Sequence, residues 1–198
     1  KTLHLGKDFD FLTEPSPEQW EHAEQSLRDF GATDNSGQLN DYGQSMAKLS
    51  LDPRLAHFVL QSIEYGCVQE AVTIAAMLTV GRFFVRELYE QEEFRLVKNQ
   101  FTDPESDFLT LLNIWDAYHA TENVEAWCRD HFVNPYWMRG VEKIREQTLN
   151  RLAHLGIPST SNRNRDLIDM AILAAFKHNT LRFHRGTLYE NRRWEHLE

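Results

Sequence analysis

Leu51 to Val80 reads LDPRLAHFVLQSIEYGCVQEAVTIAAMLTV, and in it two helical patterns meet at one Gly-Cys pair. Asp52 is a capping residue, Pro53 suits a first helical turn, and Leu55, Ala56, Val59, Leu60 and Ile63 recur at helical spacing until Gly66. From Val68 onward the pattern changes. Ala71, Val72, Ile74, Ala75, Ala76, Met77 and Leu78 leave no polar face, which predicts a helix buried on every side at the centre of a helical domain.

Upstream of this run, Ser16-Pro17-Glu18-Gln19 forms a capping box, and Trp20, Ala23, Leu27 and Phe30 define one apolar face before Gly31 ends the helix. Asp34-Asn35-Ser36-Gly37 then gives the single hairpin signal, within Ala32 to Leu39, flanked by short extended candidates. A helix, a tight hairpin and two further helices predict a small winged-helix unit ending near Gly66. Downstream, helices are expected over Val68 to Val80, Glu90 to Phe101, Ser106 to Ala120, Val124 to Val133, Pro135 to Leu155 and Arg165 to Phe183. The loop Gly156 to Asn164 is the longest, and its Pro158 and Ser159-Thr160-Ser161 predict an exposed, mobile segment.

The 198 residues are 41% apolar, enough for one large or two small cores, and no stretch has the length of a membrane span. Neither a basic-then-apolar leader nor a metal-type cysteine spacing is present, so Cys67 and Cys128 are expected to be reduced core residues in an intracellular setting. The net charge of −9 is unevenly spread: residues 1–138 carry 10 Lys and Arg against 23 Asp and Glu, and residues 139–198 carry 11 against 7. Such asymmetry fits a chain of which one face meets phosphate, or simply helix surfaces that differ.

The pieces FDFLTEPSPE (Phe9 to Glu18), LDPRLA (Leu51 to Ala56), GCVQEAVTIAAML (Gly66 to Leu78), SDFLTLLNIW (Ser106 to Trp115) and WCRDHFVN (Trp127 to Asn134) stand in the order of a known pattern. With IREQ at Ile144 to Gln147, they resemble the C-terminal helicase-associated region of DEAH-box RNA helicases. The chain departs from that family at Tyr136, Trp137 and Met138, where an Arg-Ser-Leu-like segment is usual. It departs again at Phe108, in place of a His, and at Ala175, Phe176 and Lys177, in place of Gly-Phe-Phe.

The resemblance implies a mainly α fold, a winged-helix domain with a small β-hairpin followed by a ratchet-like helical bundle. The expected boundaries are residues 1–11 for the end of a truncated upstream segment, 12–66 for the winged helix, 67–185 for the bundle and 186–198 for a tail. It further implies an accessory module lining the single-stranded RNA channel of a helicase and coupling ATP-driven motor movement to translocation. The expected partners are single-stranded RNA, the parent's RecA-like motor domains and OB-fold, and an activator protein, in splicing or ribosome assembly and in the nucleus ahead of the cytoplasm. ATP and magnesium would belong to the parent's motor domains. The fragment itself is expected to be no enzyme and to hold no cofactor, since it lacks both a Gly-x4-Gly-Lys-Ser/Thr loop and an Asp-Glu-Ala-His box.

Candidate RNA-binding residues are Arg139, Lys143 and Arg145 on the long helix, with Lys177, His178, Asn179 and Arg182 near the last one, as phosphate contacts. Tyr136 and Trp137 offer faces for base stacking, although a Trp at a helix start, like Trp137, is more often an anchor in the core. His119, Cys128 and His131 lack zinc-ligand spacing, so no metal site is expected. Two rival readings remain open. One is a free-standing DNA-binding winged helix, disfavoured by the acids Asp29, Asp34, Asp41 and Asp52; the other is a protein-interaction scaffold that binds a basic or activator partner without touching RNA.

Overall fold

The structure, a computed structural model, describes residues 11–85 and 92–177, together with the backbone of short strands at 182–185, 188–190 and 196–197. The chain divides into two compact units, residues 1–44 and 45–198.

In the first unit, α1 spans Pro17–Asp29 and is opened by the expected capping box. The Gln19 amide donates to Ser16 Oγ at 3.3 Å and the Ser16 amide to Gln19 Oε1 at 2.8 Å. No residue of α1 is buried. The expected β-hairpin does not form as a pair of strands; Thr33 and Leu39 make a single antiparallel bridge. The reason is local. Asp34 Oδ1 accepts from the Ser36 amide, the Ser36 hydroxyl and the Gln38 amide, closing the turn by side chain. The arms are then too short for a ladder, because α2 (Asp41–Leu49) already begins at Asp41. At Gly43 a Cβ would stand 2.1 Å from the Ala32 carbonyl oxygen, so only glycine fits there.

The second unit is a helical bundle around α4. Helix α3 covers Pro53–Gln61 and is capped by Asp52, whose carboxylate accepts from the Arg54 amide. A turn ending in Gly66, at φ 68°, leads into α4, Val68–Val80. Nine of its residues are buried, Val68 and Glu70 to Met77, as its lack of a polar face predicts. Gly81 stops it in a left-handed conformation, its amide donating to the Met77 carbonyl. Helices α5 (Glu92–Asn99), α6 (Asp107–Ala120), α7 (Val124–Asp130), α8 (Pro135–His154) and α9 (Arg165–Ala175) follow. The core of this unit joins Met77 of α4 to Ile114, Trp115 and Tyr118 of α6, Cys128 of α7, and Met138 and Val141 of α8. Among the described residues, no helix is long and apolar enough to cross a membrane.

Besides α5, which ends at Asn99 and not Phe101, two helices stop short of expectation. Helix α7 ends at Asp130, because Phe132 takes a positive φ of 56° and turns the chain toward α8. Helix α9 ends at Ala175, and Arg182–Arg185 is a strand, β1, instead of a continuing helix. Asn179 and Thr180, weak helix formers, lie between them in the sequence. Strand β1 pairs antiparallel with β2 (Leu188–Glu190), and β2 with β3 (His196–Leu197). A three-stranded sheet therefore crosses the expected boundary at residue 185.

The loop from Gly156 to Asn164, expected to be mobile, is tied to the first turn of α4. The Gln69 amide donates to the Thr160 carbonyl at 2.9 Å, and Gln69 Nε2 to the Ser159 carbonyl at 3.0 Å. The buried Glu70 carboxylate accepts from Ser161 Oγ at 2.6 Å and from the Asn162 amide at 3.2 Å. Arg163 then bridges Glu70 and Asp116. A buried carboxylate satisfied this completely orders the segment that satisfies it.

Candidate nucleic-acid interface

Helix α8 is 20 residues long, roughly 30 Å, and its start is fixed by three devices. Asn134 caps it, its Oδ1 accepting a hydrogen bond from the Tyr136 amide at 2.9 Å, and Pro135 occupies the first turn. The third device is tertiary: the Asn134 amide donates to the Phe83 carbonyl at 2.7 Å and the Val85 amide to the Phe132 carbonyl at 2.9 Å. These bonds hold the first turn of α8 beside the last turn of α4.

Between those two turns lies a groove of about 490 Å³, lined by Thr79 and Val80 of α4 and by Tyr136, Trp137, Arg139, Gly140, Lys143 and Ile144 of α8. Four of the residues expected from sequence thus share one surface. Tyr136 is 66% exposed and Trp137 40%, with the two rings edge-to-face at 5.2 Å, so Trp137 is not a core anchor here. Arg139 and Lys143 are exposed and one helical turn apart. The lining contains two cations and no carboxylate. Gly140 keeps the floor low: a Cβ there would meet Val80 Cγ2 at 3.7 Å, an ordinary contact that fills the space between the helices.

Arg145 is placed differently. Its Nε donates to Thr73 Oγ1 and its Nη2 to Gln69 Oε1, both at 2.9 Å, and its guanidinium carbon lies 5.4 Å from the Trp115 ring centroid. Burial lowers its pKa from the ordinary guanidinium value, and the nearby Glu70 opposes that shift. The side chain joins α8 to α4 and α6 and does not line the groove. Lys177 is exposed just beyond α9. His178 and Asn179 lie outside the described residues, and of Arg182 only the backbone, in β1, is described.

Thr79, Val80 and Gly140 were not singled out by sequence reasoning. The available signal was a polar Thr79 interrupting the apolar run of α4, together with a glycine inside a charged helix. The histidines of the weighed metal reading make local bonds instead: His119 Nδ1 to the Trp115 carbonyl and His131 Nδ1 to the Trp127 carbonyl. Among the described residues, no three His, Cys, Asp or Glu side chains are grouped to hold a metal.

Residues 52–111 match the family described as helicase associated domain (HA2), ratchet-like. That match begins at the cap of α3 and runs through α4 and α5 into α6. The chain is 32% identical over 170 residues to the pre-mRNA-splicing factor ATP-dependent RNA helicase prp22 of Schizosaccharomyces pombe, covering 85% of this chain and 15% of that protein. It is 36% identical over 157 residues to a Homo sapiens protein named putative pre-mRNA-splicing factor ATP-dependent RNA helicase DHX32, covering 75% of this chain and 21% of that protein. The chain therefore spans about a fifth or less of the length of these relatives. By its matched domain and by relatives alike over most of its length, the chain belongs to the helicase-associated, HA2 ratchet-like family carried by DEAH-box RNA helicases.

Proposed function

We propose that this chain is the accessory C-terminal module of a DEAH-type RNA helicase and that the α4–α8 groove takes single-stranded RNA. The observation that carries the reading is the convergence of Tyr136, Trp137, Arg139 and Lys143 on one groove whose lining has no carboxylate. Exposed rings accept bases by stacking, and the two cations neutralise phosphates, neither of which requires a particular sequence. Residues 12–66 would act as the winged-helix part and 67–185 as the ratchet-like part. Motor domains elsewhere in the parent, with ATP and magnesium, would drive the strand past α8, and an OB-fold and an activator protein would complete the assembly in the nucleus.

Binding of fluorescein-labelled oligouridylate, measured against salt, tests this directly. Arg139→Glu and Lys143→Glu are each expected to weaken binding and to reduce the salt slope by about one. Equal affinity and an unchanged slope in both variants would remove the groove from the RNA path.

A second reading, a scaffold that binds a basic partner, draws on a different feature. A cleft of about 690 Å³ along α1 is lined by Glu14, Glu21 and Glu24 around Trp20, with Arg28 at its side. Arg28 is already engaged by Glu24 at 3.8 Å and by Gln25. A basic protein captured by the chain and released by Glu21→Lys, with no effect of the α8 variants on RNA, would favour that reading.

A further inference from the structure

A second groove, of about 520 Å³, lies on the other side of the last turn of α4, and Thr79 lines both grooves. We infer that this groove, with Asp52, Arg54, Leu78, Thr79, Phe108 and Phe176 in its lining, continues the path of a single strand and holds one unstacked base. The inference rests on the RNA reading of the first groove and deepens it.

The floor of the second groove is aromatic. The Phe108 and Phe176 rings stack at 5.9 Å with 23° between their planes, and the fully buried Phe58 ring backs both, at 6.4 and 5.8 Å. Both front rings are only half-buried, so part of their surface faces the groove. An aromatic lining of that kind suits a nucleobase, because every base has a π-face and none needs a specific hydrogen bond there.

Beside that floor stands a cation suited to phosphate. The Arg54 side chain is 64% exposed, and its Nε meets Asp52 at 3.3 Å. Asp52 lines the groove too, and its Oδ1 accepts from both the Arg54 amide and Nε, so a phosphate meets Arg54 from the side away from that carboxylate. Among the described residues, nothing engages the two terminal nitrogens of that guanidinium, which leaves its bidentate edge for phosphate oxygens. An apolar peptide side chain would use the floor but leave Arg54 idle; a nucleotide uses both. Continuity through Thr79 with a groove of two cations and two exposed rings favours the nucleotide.

The test is a length ladder of fluorescein-labelled oligouridylates on the full chain. Wild type is expected to gain affinity in two steps as the ladder lengthens, one for each groove. Phe176→Leu keeps apolar bulk behind the groove but removes the stacking face. It is expected to lose about tenfold in affinity for long oligomers and nothing for short ones. Arg54→Gln, which removes the charge without setting a second carboxylate beside Asp52, is expected to abolish the same second step and to lower the salt slope for long oligomers alone by about one. A second step that survives both variants, or a ladder with a single step that depends on Arg139 and Lys143, would overturn this inference and leave the first groove standing. Absence of any binding that depends on Arg139 and Lys143 would overturn both. A photo-crosslinker at position 176 that captures RNA supports the inference, whereas capture of protein with no RNA overturns it.

Discussion

Replacing Arg145 with methionine separates a phosphate contact from an internal clamp. Methionine keeps much of the stem but removes two hydrogen bonds from a charged donor, to Thr73 Oγ1 and Gln69 Oε1, and the stacking over Trp115. Hydrogen bonds to charged groups are worth about 1.5–3 kcal/mol when fully buried, and in this part-buried site about 1 kcal/mol each is the better figure. The cation over the Trp115 ring adds roughly 0.5–1 kcal/mol. Relief of guanidinium desolvation returns some of this, so the net loss is about 2 kcal/mol. For a unit of this size, that loss lowers Tm by about 4–8 °C. Thermal unfolding followed by circular dichroism measures the shift, and oligouridylate titration over salt measures the slope. The clamp predicts a lower Tm with an unchanged slope, the reverse of what Lys143→Glu should give. An unchanged Tm with a slope reduced by one would refute the clamp and return Arg145 to the list of phosphate contacts.

Three further outcomes follow from other parts of the molecule. Gly43→Ala forces a Cβ to within 2.1 Å of the Ala32 carbonyl oxygen and should destabilise the first unit by about 3 kcal/mol, seen as an early transition in limited proteolysis. The Asp103 carboxyl is held below its ordinary pKa, first by the Glu105 amide and also by Arg165. Its contribution to stability is therefore present at neutral pH and lost as the pH falls through that lowered value; Asp103→Asn should flatten the acid limb of the stability profile and leave its alkaline limb alone. Burial pushes the Cys67 thiol up to about 11, so at neutral pH only about one molecule in ten thousand carries the thiolate. Ellman's reagent should find Cys67 inert in the folded chain and reactive in denaturant; rapid labelling of native protein would show that α4 opens at its first turn.

Helix α4 was legible to the residue because a run without a polar face has a single reading. The Ser16 capping box was legible because both its hydrogen bonds are local. The turn after α1 is legible, but not its closure: Asp34 takes the Ser36 and Gln38 amides on one carboxylate oxygen, and among the described residues only two cross-arm backbone bonds, Asp34 to Gln38 and Asn40 to Ala32, flank the single bridge. On α8 the sequence grouped Arg139, Lys143 and Arg145 by charge, while helical geometry separates them. Arg145 stands two residues beyond Lys143, about 200° around the axis, and so faces α4 and Trp115. Thr79 was invisible as a site residue for another reason. Its place depends on backbone bonds of Phe83 and Val85 with the α7–α8 turn, a pairing across about 50 residues that no local pattern encodes.

One carboxamide reports on two elements at once. Gln69 accepts from Arg145 with its oxygen and donates to the Ser159 carbonyl with its nitrogen, and an amide can hold only one orientation at a time. Turning α8 about its axis would withdraw the guanidinium and let the amide swing, loosening the far loop by a bond. Gln69→Leu would therefore cut two ties in one step, the one to α8 and the one to the far loop.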